Sequence, residues 1–220
     1  VNIFILIPAY NAAKTLPDVI DRLSQVVSPH QLIVVDDGST DNTATVLQHY
    51  GVVVLSHPQN QGKGAALRTG MDYALRHGAR AVITLDADGQ HDPQELPQFL
   101  KHSSADLVIG TREHTLKSTP FHRYLSNSIT SLILSLVAKQ RIRDSQSGYR
   151  LLSARVMRTI NLVTHRYETE SEILIKAGRR GFSIDALPIQ TVYSRENISH
   201  IQPLRDTWRF IVLIFRSFFW

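Results

Sequence analysis

At 220 residues, with 43% hydrophobic and 20% charged side chains, the chain is long enough for one substantial core and has the charge density of an ordinary globular domain. It has no cysteine, which excludes a disulfide framework, a thiolate nucleophile and a thiolate metal site, and fits a cytosolic location. The net charge of +5 divides unevenly: residues 1–100 carry 6 Lys/Arg against 10 Asp/Glu, and residues 101–220 carry 18 against 9, so the first half suits a bound cation and the second an anionic partner such as a phosphate, a membrane face or nucleic acid.

Val1 to Ile7 is a short, largely β-branched run closed by Pro8, which reads as a strand and not as an export leader. Further strands are expected at 31–35, 52–55, 81–85 and 107–109, with helical stretches between them. Such alternation predicts βαβ units and a mostly parallel sheet buried on both faces. Ligands of such sheets collect beyond the carboxyl ends of the strands, and a polar cluster follows each expected strand here. These are Pro8-Ala9-Tyr10-Asn11, the run from Asp36 to Asp41, the run from Asn60 to Gly64, the run from Asp86 to Gln90, and Gly110-Thr111-Arg112.

Past residue 112 the pattern predicts a helix over 121–138, a turn-rich stretch over 144–150, a helix over 168–180 closed by Gly181, and a strand over 182–188. No repeat, low-complexity segment or Pro/Gly-rich linker interrupts the chain, so a single domain over 1–203 is expected. In the apolar stretch 204–220, Arg205, Arg209 and Arg216 fall in a narrow arc at helical spacing, which predicts an amphipathic helix. The run from Phe210 is too short to span a bilayer and is interrupted by Arg216. Its aromatic content and Arg stripe suit a membrane interface or the start of a membrane segment, and the alternative reading is a helix that packs on the core.

The chemistry concentrates in the acidic loops. Asp86 and Asp88 stand one residue apart at a strand end, and their oxygens suit Mg2+ or Mn2+, ions that commonly bridge to substrate phosphates. Asp36 and Asp37 follow a buried strand, where a carboxylate can accept hydrogen bonds from ribose hydroxyls or a base N–H. Two adjacent acids are costly there unless donors use them. Thr40 or Asp41 reads as a helix cap. Asn60-Gln61-Gly62-Lys63-Gly64 opens a helix, so its glycines would let backbone approach an anion while Lys63 supplies charge. Neither GxxxxGK[ST] nor GxGxxG occurs, which counts against P-loop and dinucleotide-binding readings.

Taken in order, PAYN (Pro8 to Asn11), DDGSTD (Asp36 to Asp41), NQGKG (Asn60 to Gly64), DADGQHDP (Asp86 to Pro93), GTR (Gly110 to Arg112) and DSQSGYR (Asp144 to Arg150) resemble the family 2 glycosyltransferases of the GT-A fold. The nearest likeness is to dolichol-phosphate mannose synthases and bacterial polyprenyl-phosphate glycosyltransferases. The resemblance implies an α/β, Rossmann-like domain. It implies an inverting, metal-dependent transfer of a hexose from a GDP- or UDP-sugar to a polyprenyl phosphate, at the cytoplasmic face of a membrane with an anionic surface. Pro8, Ala9 and Tyr10 then line the base pocket and Asp36 meets the nucleoside. Asn11, Asp37, Lys63, Arg68 and Asp86 complete the donor set. Asp86, Asp88 and Gln90 surround the diphosphate and the Mg2+ or Mn2+ ion, which Asp88 and Gln90 ligate.

Arg112, Arg123, Asn127 and Arg150 face the acceptor phosphate, with Asp86, Asp88, Arg112 and Glu172 as the catalytic group. Two positions depart from the family pattern: Ala12 stands where Glu is common, and Asn127 where Ser is common. A lipid phosphate needs no strong base, whereas a hydroxyl acceptor does. Of Glu168, Glu170 and Glu172 the resemblance favours Glu172 as site-facing, and Glu168 is expected to point into water. His200 is weighed equally between the diphosphate and the surface. The alternatives are a family 2 enzyme acting on a glycan hydroxyl and, from another class, a nucleotide-sugar sensor or nucleic-acid binder. The last gives no reason for acids at alternate strand ends, so no nucleic-acid partner is expected.

Overall fold

The computed structural model describes residues 2–112, 121–190 and 203–220. Strands β1 (Ile3–Ala9), β2 (Leu32–Asp36), β3 (Val53–Ser56), β4 (Ala81–Thr84), β5 (Leu107–Arg112), β6 (Arg150–Ser153) and β7 (Ile184–Ile189) form one sheet in the order β3-β2-β1-β4-β6-β5-β7. Only β6 runs antiparallel, to both β4 and β5. The helices are α1 (Leu16–Ser24), α2 (Thr43–Leu47), α3 (Lys63–Arg76), α4 (Leu96–Lys101), α5 (Phe121–Ala138), α6 (Ala154–Thr159), α7 (Glu168–Arg179) and α8 (Pro203–Ser217).

Both faces of the sheet are covered, which is why the strands read as continuous apolar runs. Side chains alternate between faces along a strand. Phe4 and Leu6 of β1 join Leu67 and Met71 of α3, Leu134 of α5, Leu174 of α7 and Leu213 of α8. Ile3, Ile5 and Ile7 join Leu16, Val19, Ile20 and Leu23 of α1 and Phe99 of α4. The spacing 16, 19, 20, 23 is one helical face. Gly70 lets α3 lie directly on Leu6, and Gly64 lets it meet Thr169 of α7, since a Cβ at either position would overlap the neighbour. Residues 169 to 178 of α7 are all buried.

The expected strands are present with ends shifted by at most three residues, and the mostly parallel α/β sheet is as the sequence predicts. The unexpected strand is β6. Its Leu151 and Leu152 are flanked by Arg150 and Ser153, too short a pair to show alternation, and it is held by hydrogen-bonded neighbours on both sides. The predicted terminal helix is present as α8. Among the described residues no helix is long and apolar enough to cross a membrane.

The strand order sets the position of the site. After β1 the chain builds outward through β2 and β3, then returns to lay β4 on the other side of β1. The carboxyl ends of β1 and β4 therefore flank a topological switch point, where such sheets hold their ligands.

Candidate active site

At that switch point Asp86 and Asp88 follow β4 in a loop fixed from three sides. Thr84 Oγ1 donates to the Gly148 carbonyl at 2.7 Å, Thr15 Oγ1 donates to the Ala87 carbonyl at 2.7 Å, and Gly89 turns the chain with φ at 75°. Gly148 packs against Asp86 so closely that a Cβ there would lie 2.7 Å from the Asp86 carboxyl carbon. Lys63, the first residue of α3, places Nζ 2.6 Å from Asp86 Oδ1 and 2.9 Å from Glu170 Oε1. His91, itself buried, places Nε2 3.4 Å from Asp86 Oδ2 and lies against the Tyr149 ring.

The two aspartates differ electrostatically. Burial alone would raise the Asp86 carboxyl, but Lys63 and then His91 hold it well below the ordinary carboxylate range. Asp88 is pushed up, first by burial and then by the negative charge of Asp86. Burial works against the Lys63 ammonium, yet Asp86 and Glu170 keep it firmly protonated. Asp88 accepts one hydrogen bond among the described residues, from the Gln90 N–H to Oδ1 at 2.9 Å. Its second oxygen and its raised pKa suit it to a cation, which would relieve the repulsion from Asp86. No cage of three or more His, Asp or Glu is prearranged among the described residues. A sparse carboxylate set is what Mg2+ or Mn2+ needs when substrate phosphate and water complete the shell. The residues present therefore fit such an ion.

On the β1–β2 side, Ala9 pairs with Asp36 in the sheet register. Asp36 is buried and accepts from the Ser39 N–H at 3.1 Å. Asn11, at φ 51°, accepts from Thr40 N–H at 2.8 Å and Asp41 N–H at 3.3 Å, and its own N–H donates to Ser39 Oγ, so it ties the two loops into one wall. Pro8 and Tyr10 flank this junction, partly exposed. Asp41 accepts from the Thr43 N–H at the start of α2, but the residue at the N-cap is Asn42, which makes no side-chain cap hydrogen bond, so the cap expected at Thr40 or Asp41 is not the one found.

Asp37 does not join that wall. Its carboxylate accepts from the Gln61 N–H at 2.9 Å and the Gly62 N–H at 2.7 Å, and meets His57 Nδ1 at 2.6 Å. The anion expected at the start of α3 is thus Asp37 itself. The glycines there serve packing as well, for a Cβ on Gly62 would clash with the His165 carbonyl. Arg68 also points to the fold, donating to the Leu162 carbonyl at 3.0 Å and meeting His165 Nδ1 at 2.6 Å.

The residues expected at the acceptor phosphate separate. Arg112 is held by a two-point pair with Asp144, Nε to Oδ2 at 2.8 Å and Nη2 to Oδ1 at 3.0 Å. Asn127 is buried on α5, and its Oδ1 accepts from Ser131 at 3.4 Å. Arg150 is fully buried and spends its guanidinium on the carbonyls of Ser147, Glu170 and Ser145. It fastens the loop over 144–150 to α7. The side chain of Arg123 and all of His200 lie outside the described residues.

Glu172 also departs from expectation. It is fully buried and accepts from the Val163 and Thr164 N–H groups, Thr164 Oγ1 and Lys176 Nζ. The carboxylate of this helix that reaches the Lys63–Asp86 cluster is Glu170. Two residues along a helix face different ways, so only one of the pair could serve. Gly148, Asp144 and His91 lie inside the sequence blocks already quoted, yet their contacts cross between loops far apart in the chain.

The site can bind a phosphate-bearing ligand through a cation, beside one protonated lysine and one buried carboxylate wall. A family model described as Glycosyl transferase family 2 matches residues 4–161. The chain belongs to that family. It is 32% identical over 222 residues to the UDP-N-acetylglucosamine–dolichyl-phosphate N-acetylglucosaminyltransferase of Methanococcus voltae, covering 90% of this chain and 88% of that one. It is 29% identical to the polyprenol monophosphomannose synthase of Mycolicibacterium smegmatis, covering 84% of this chain and 75% of that one. Among solved structures it superposes on glucosyl-3-phosphoglycerate synthase from Mycobacterium tuberculosis in complex with Mn2+, UDP and glucosyl-3-phosphoglycerate. There the TM-score is 0.73 at 22% identity, covering 98% of this chain and 79% of that one, a likeness of fold, which is GT-A.

Proposed function

We propose that this protein transfers a hexose from a UDP- or GDP-sugar to a polyprenyl phosphate, inverting the anomeric centre, at the cytoplasmic face of a membrane. The observation that carries the reading is the cluster of Asp86, Asp88, Lys63 and Glu170 at the switch point, with Asp88 raised and Asp86 paired to a lysine. The family membership and the lipid-phosphate acceptors in the names of two relatives support it.

In this reading Asp36 and the Asn11 wall receive the nucleoside. Asp88 and Gln90 would hold the Mg2+ or Mn2+ ion, with Asp86 as their neighbour. When bound, the cation neutralises charge on the departing diphosphate. Lys63 adds a second positive charge beside the leaving group, with Glu170 as the partner that keeps it in place. Arg112, braced by Asp144, orients the acceptor phosphate, which is ionised near neutral pH and needs positioning more than a base. Transfer to a glycan hydroxyl would need a base, and Glu170 is the carboxylate placed for that role, since Glu172 is engaged elsewhere.

The test is incubation of the full chain with radiolabelled UDP- and GDP-hexoses, Mg2+ or Mn2+, and either a polyprenyl phosphate or a soluble glycan. Label is expected in the organic-extractable lipid and to be lost with chelator. Label confined to the glycan, or absent from lipid with every donor, overturns the lipid-phosphate reading.

A further inference from the structure

Glu172 is fully buried on α7, and a carboxylate in such a place is costly unless donors surround it. Its donors come largely from the segment that precedes the helix. Oε1 accepts from the Val163 N–H at 2.9 Å, Oε2 accepts from the Thr164 N–H at 2.9 Å, and Thr164 Oγ1 also donates to Oε2. Lys176, one turn further along α7, donates Nζ to Oε1 and to the Asn161 carbonyl. The two side chains together clamp residues 161–164 onto the helix.

The clamped segment reaches α3. The Ala65 N–H, in the first turn of α3, donates to the His165 carbonyl at 3.0 Å as well as to the Gly62 carbonyl at 2.9 Å. Arg68 of α3 donates Nη1 to the Leu162 carbonyl at 3.0 Å, and its Nη2 meets His165 Nδ1 at 2.6 Å. Thr164 Oγ1 shares a hydrogen bond with Thr169 Oγ1 at 2.8 Å, and a Cβ at Gly64 would overlap that same Thr169 oxygen. A Cβ at Gly62 would overlap the His165 carbonyl. The clamped loop and the start of α7 thus press on α3 at Gly62, Gly64 and Ala65, the residues that flank Lys63.

Lys63 is where this grip has a chemical consequence. Its Nζ stands 2.6 Å from Asp86 and 2.9 Å from Glu170, with the centre of the Tyr167 ring 5.8 Å away. A lysine stem is flexible, so its ammonium is placed only as well as the backbone from which it rises. Asp37 holds the Gln61 and Gly62 amides on one side of that backbone. The loop bound by Glu172 holds the other side. A carboxylate can accept at once from two backbone N–H groups, a hydroxyl and an ammonium, which an apolar side chain cannot do. Stability alone is a weak reason for keeping two buried charges, because a well-packed apolar pair often does as well.

We infer that Glu172 is a positioning residue for sugar transfer: through the loop 161–165 it sets the first turn of α3, and with it the place of the Lys63 ammonium between Asp86 and Glu170, beside the departing diphosphate. The inference rests on the sugar-transfer reading for its catalytic meaning, and the place of Lys63 can be measured without it.

A double-mutant cycle tests it, with Glu172→Gln, Lys63→Met and the two combined, assayed by transfer from the radiolabelled sugar nucleotide. Glu172→Gln is expected to lower kcat about tenfold with KM for the sugar nucleotide within about twofold, since a misplaced ammonium costs most as the leaving group departs. In the Lys63→Met background the same change is expected to cost nothing further. Thr164→Val removes one tether and keeps the side-chain shape, so it is expected to show the same pattern with a smaller loss even where Glu172→Gln does not fold. Losses that simply add, or a wild-type kcat in Thr164→Val and Glu172→Gln alike, overturn the inference and leave Glu172 a stabilising residue only. NMR of the chain labelled with 15N-lysine reads the Lys63 ammonium without turnover, its signal assigned by its loss in Lys63→Met. Its protons are expected to exchange several times faster with water in Glu172→Gln and Thr164→Val than in wild type. Unchanged exchange in both also overturns the inference. Wild type that transfers no sugar sinks the functional reading, and the ammonium signal then decides the positioning claim by itself.

Discussion

Asp86 and Asp88 show how one intervening residue can separate two roles. Asp86 is locked between Lys63, His91 and the Gly148 backbone, whereas among the described residues Asp88 accepts only from the Gln90 N–H, which in the proposed function leaves an oxygen for the cation. Gly148→Ala forces a methyl group onto the Asp86 carboxyl, so it is expected to lower kcat/KM about a hundredfold with a nearly unchanged circular dichroism spectrum; wild-type turnover would show that the contact is irrelevant. Glu172 has a different fate. Its carboxyl is buried, yet Lys176, Thr164 and two backbone N–H groups lower its pKa below the ordinary 4.5. A carboxyl whose folded pKa is depressed contributes stability that is present above 4.5 and is lost as pH falls through the folded value. Urea midpoints are therefore expected to show Glu172→Gln less stable than wild type at pH 7, with the gap closing as pH is lowered below 4.5. A gap independent of pH would remove the charge from the explanation. The sequence located the acidic helix segment, but which glutamate turns toward Lys63 depends on how α7 is rolled against α3, and the close approach of Gly64 and Thr169 sets that roll.

At the scale of elements, the start of α3 is the joint between fold and site. Helix N-termini carry unsatisfied N–H groups and a partial positive charge. Asp37 is the anion there, bonded to Gln61 and Gly62, and it fixes where Lys63 emerges. Asp37→Ala leaves two amides and His57 without their acceptor, a loss on the order of 3 kcal/mol; chemical denaturation measures it, and Asn at this position is expected to restore part. Such an intramolecular anion is not distinguishable in sequence from one meant for a ligand, because both look like acids after a strand and glycines before a helix. Strands β1, β2, β4 and β5 were legible because burial on both faces leaves unbroken apolar runs. β6 was not, because its pairing partners, and not its four residues, make it a strand. Arg150 reads as a phosphate ligand from its motif, whereas the geometry of three carbonyls makes it a buried fastener.

Across the whole molecule the charge asymmetry of the sequence has a spatial counterpart. Asp36, Asp37, Asp41, Asp86 and Asp88 of the first half gather at the carboxyl ends of β2 and β4. The basic groups of the second half include Lys139, Arg141 and Arg143, just past α5, and Arg205, Arg209 and Arg216 of α8. On the proposed function, the acidic region is the one that would receive a cation and a diphosphate. Calorimetric titration of UDP and GDP into the wild type and Asp88→Ala, each with Mn2+ and with chelator, tests the central claim most directly. One nucleotide is expected to bind the wild type only when Mn2+ is present, and to lose that binding in Asp88→Ala with the fold intact. Equal affinity in chelator, or undiminished Mn2+-dependent binding by Asp88→Ala, would contradict it.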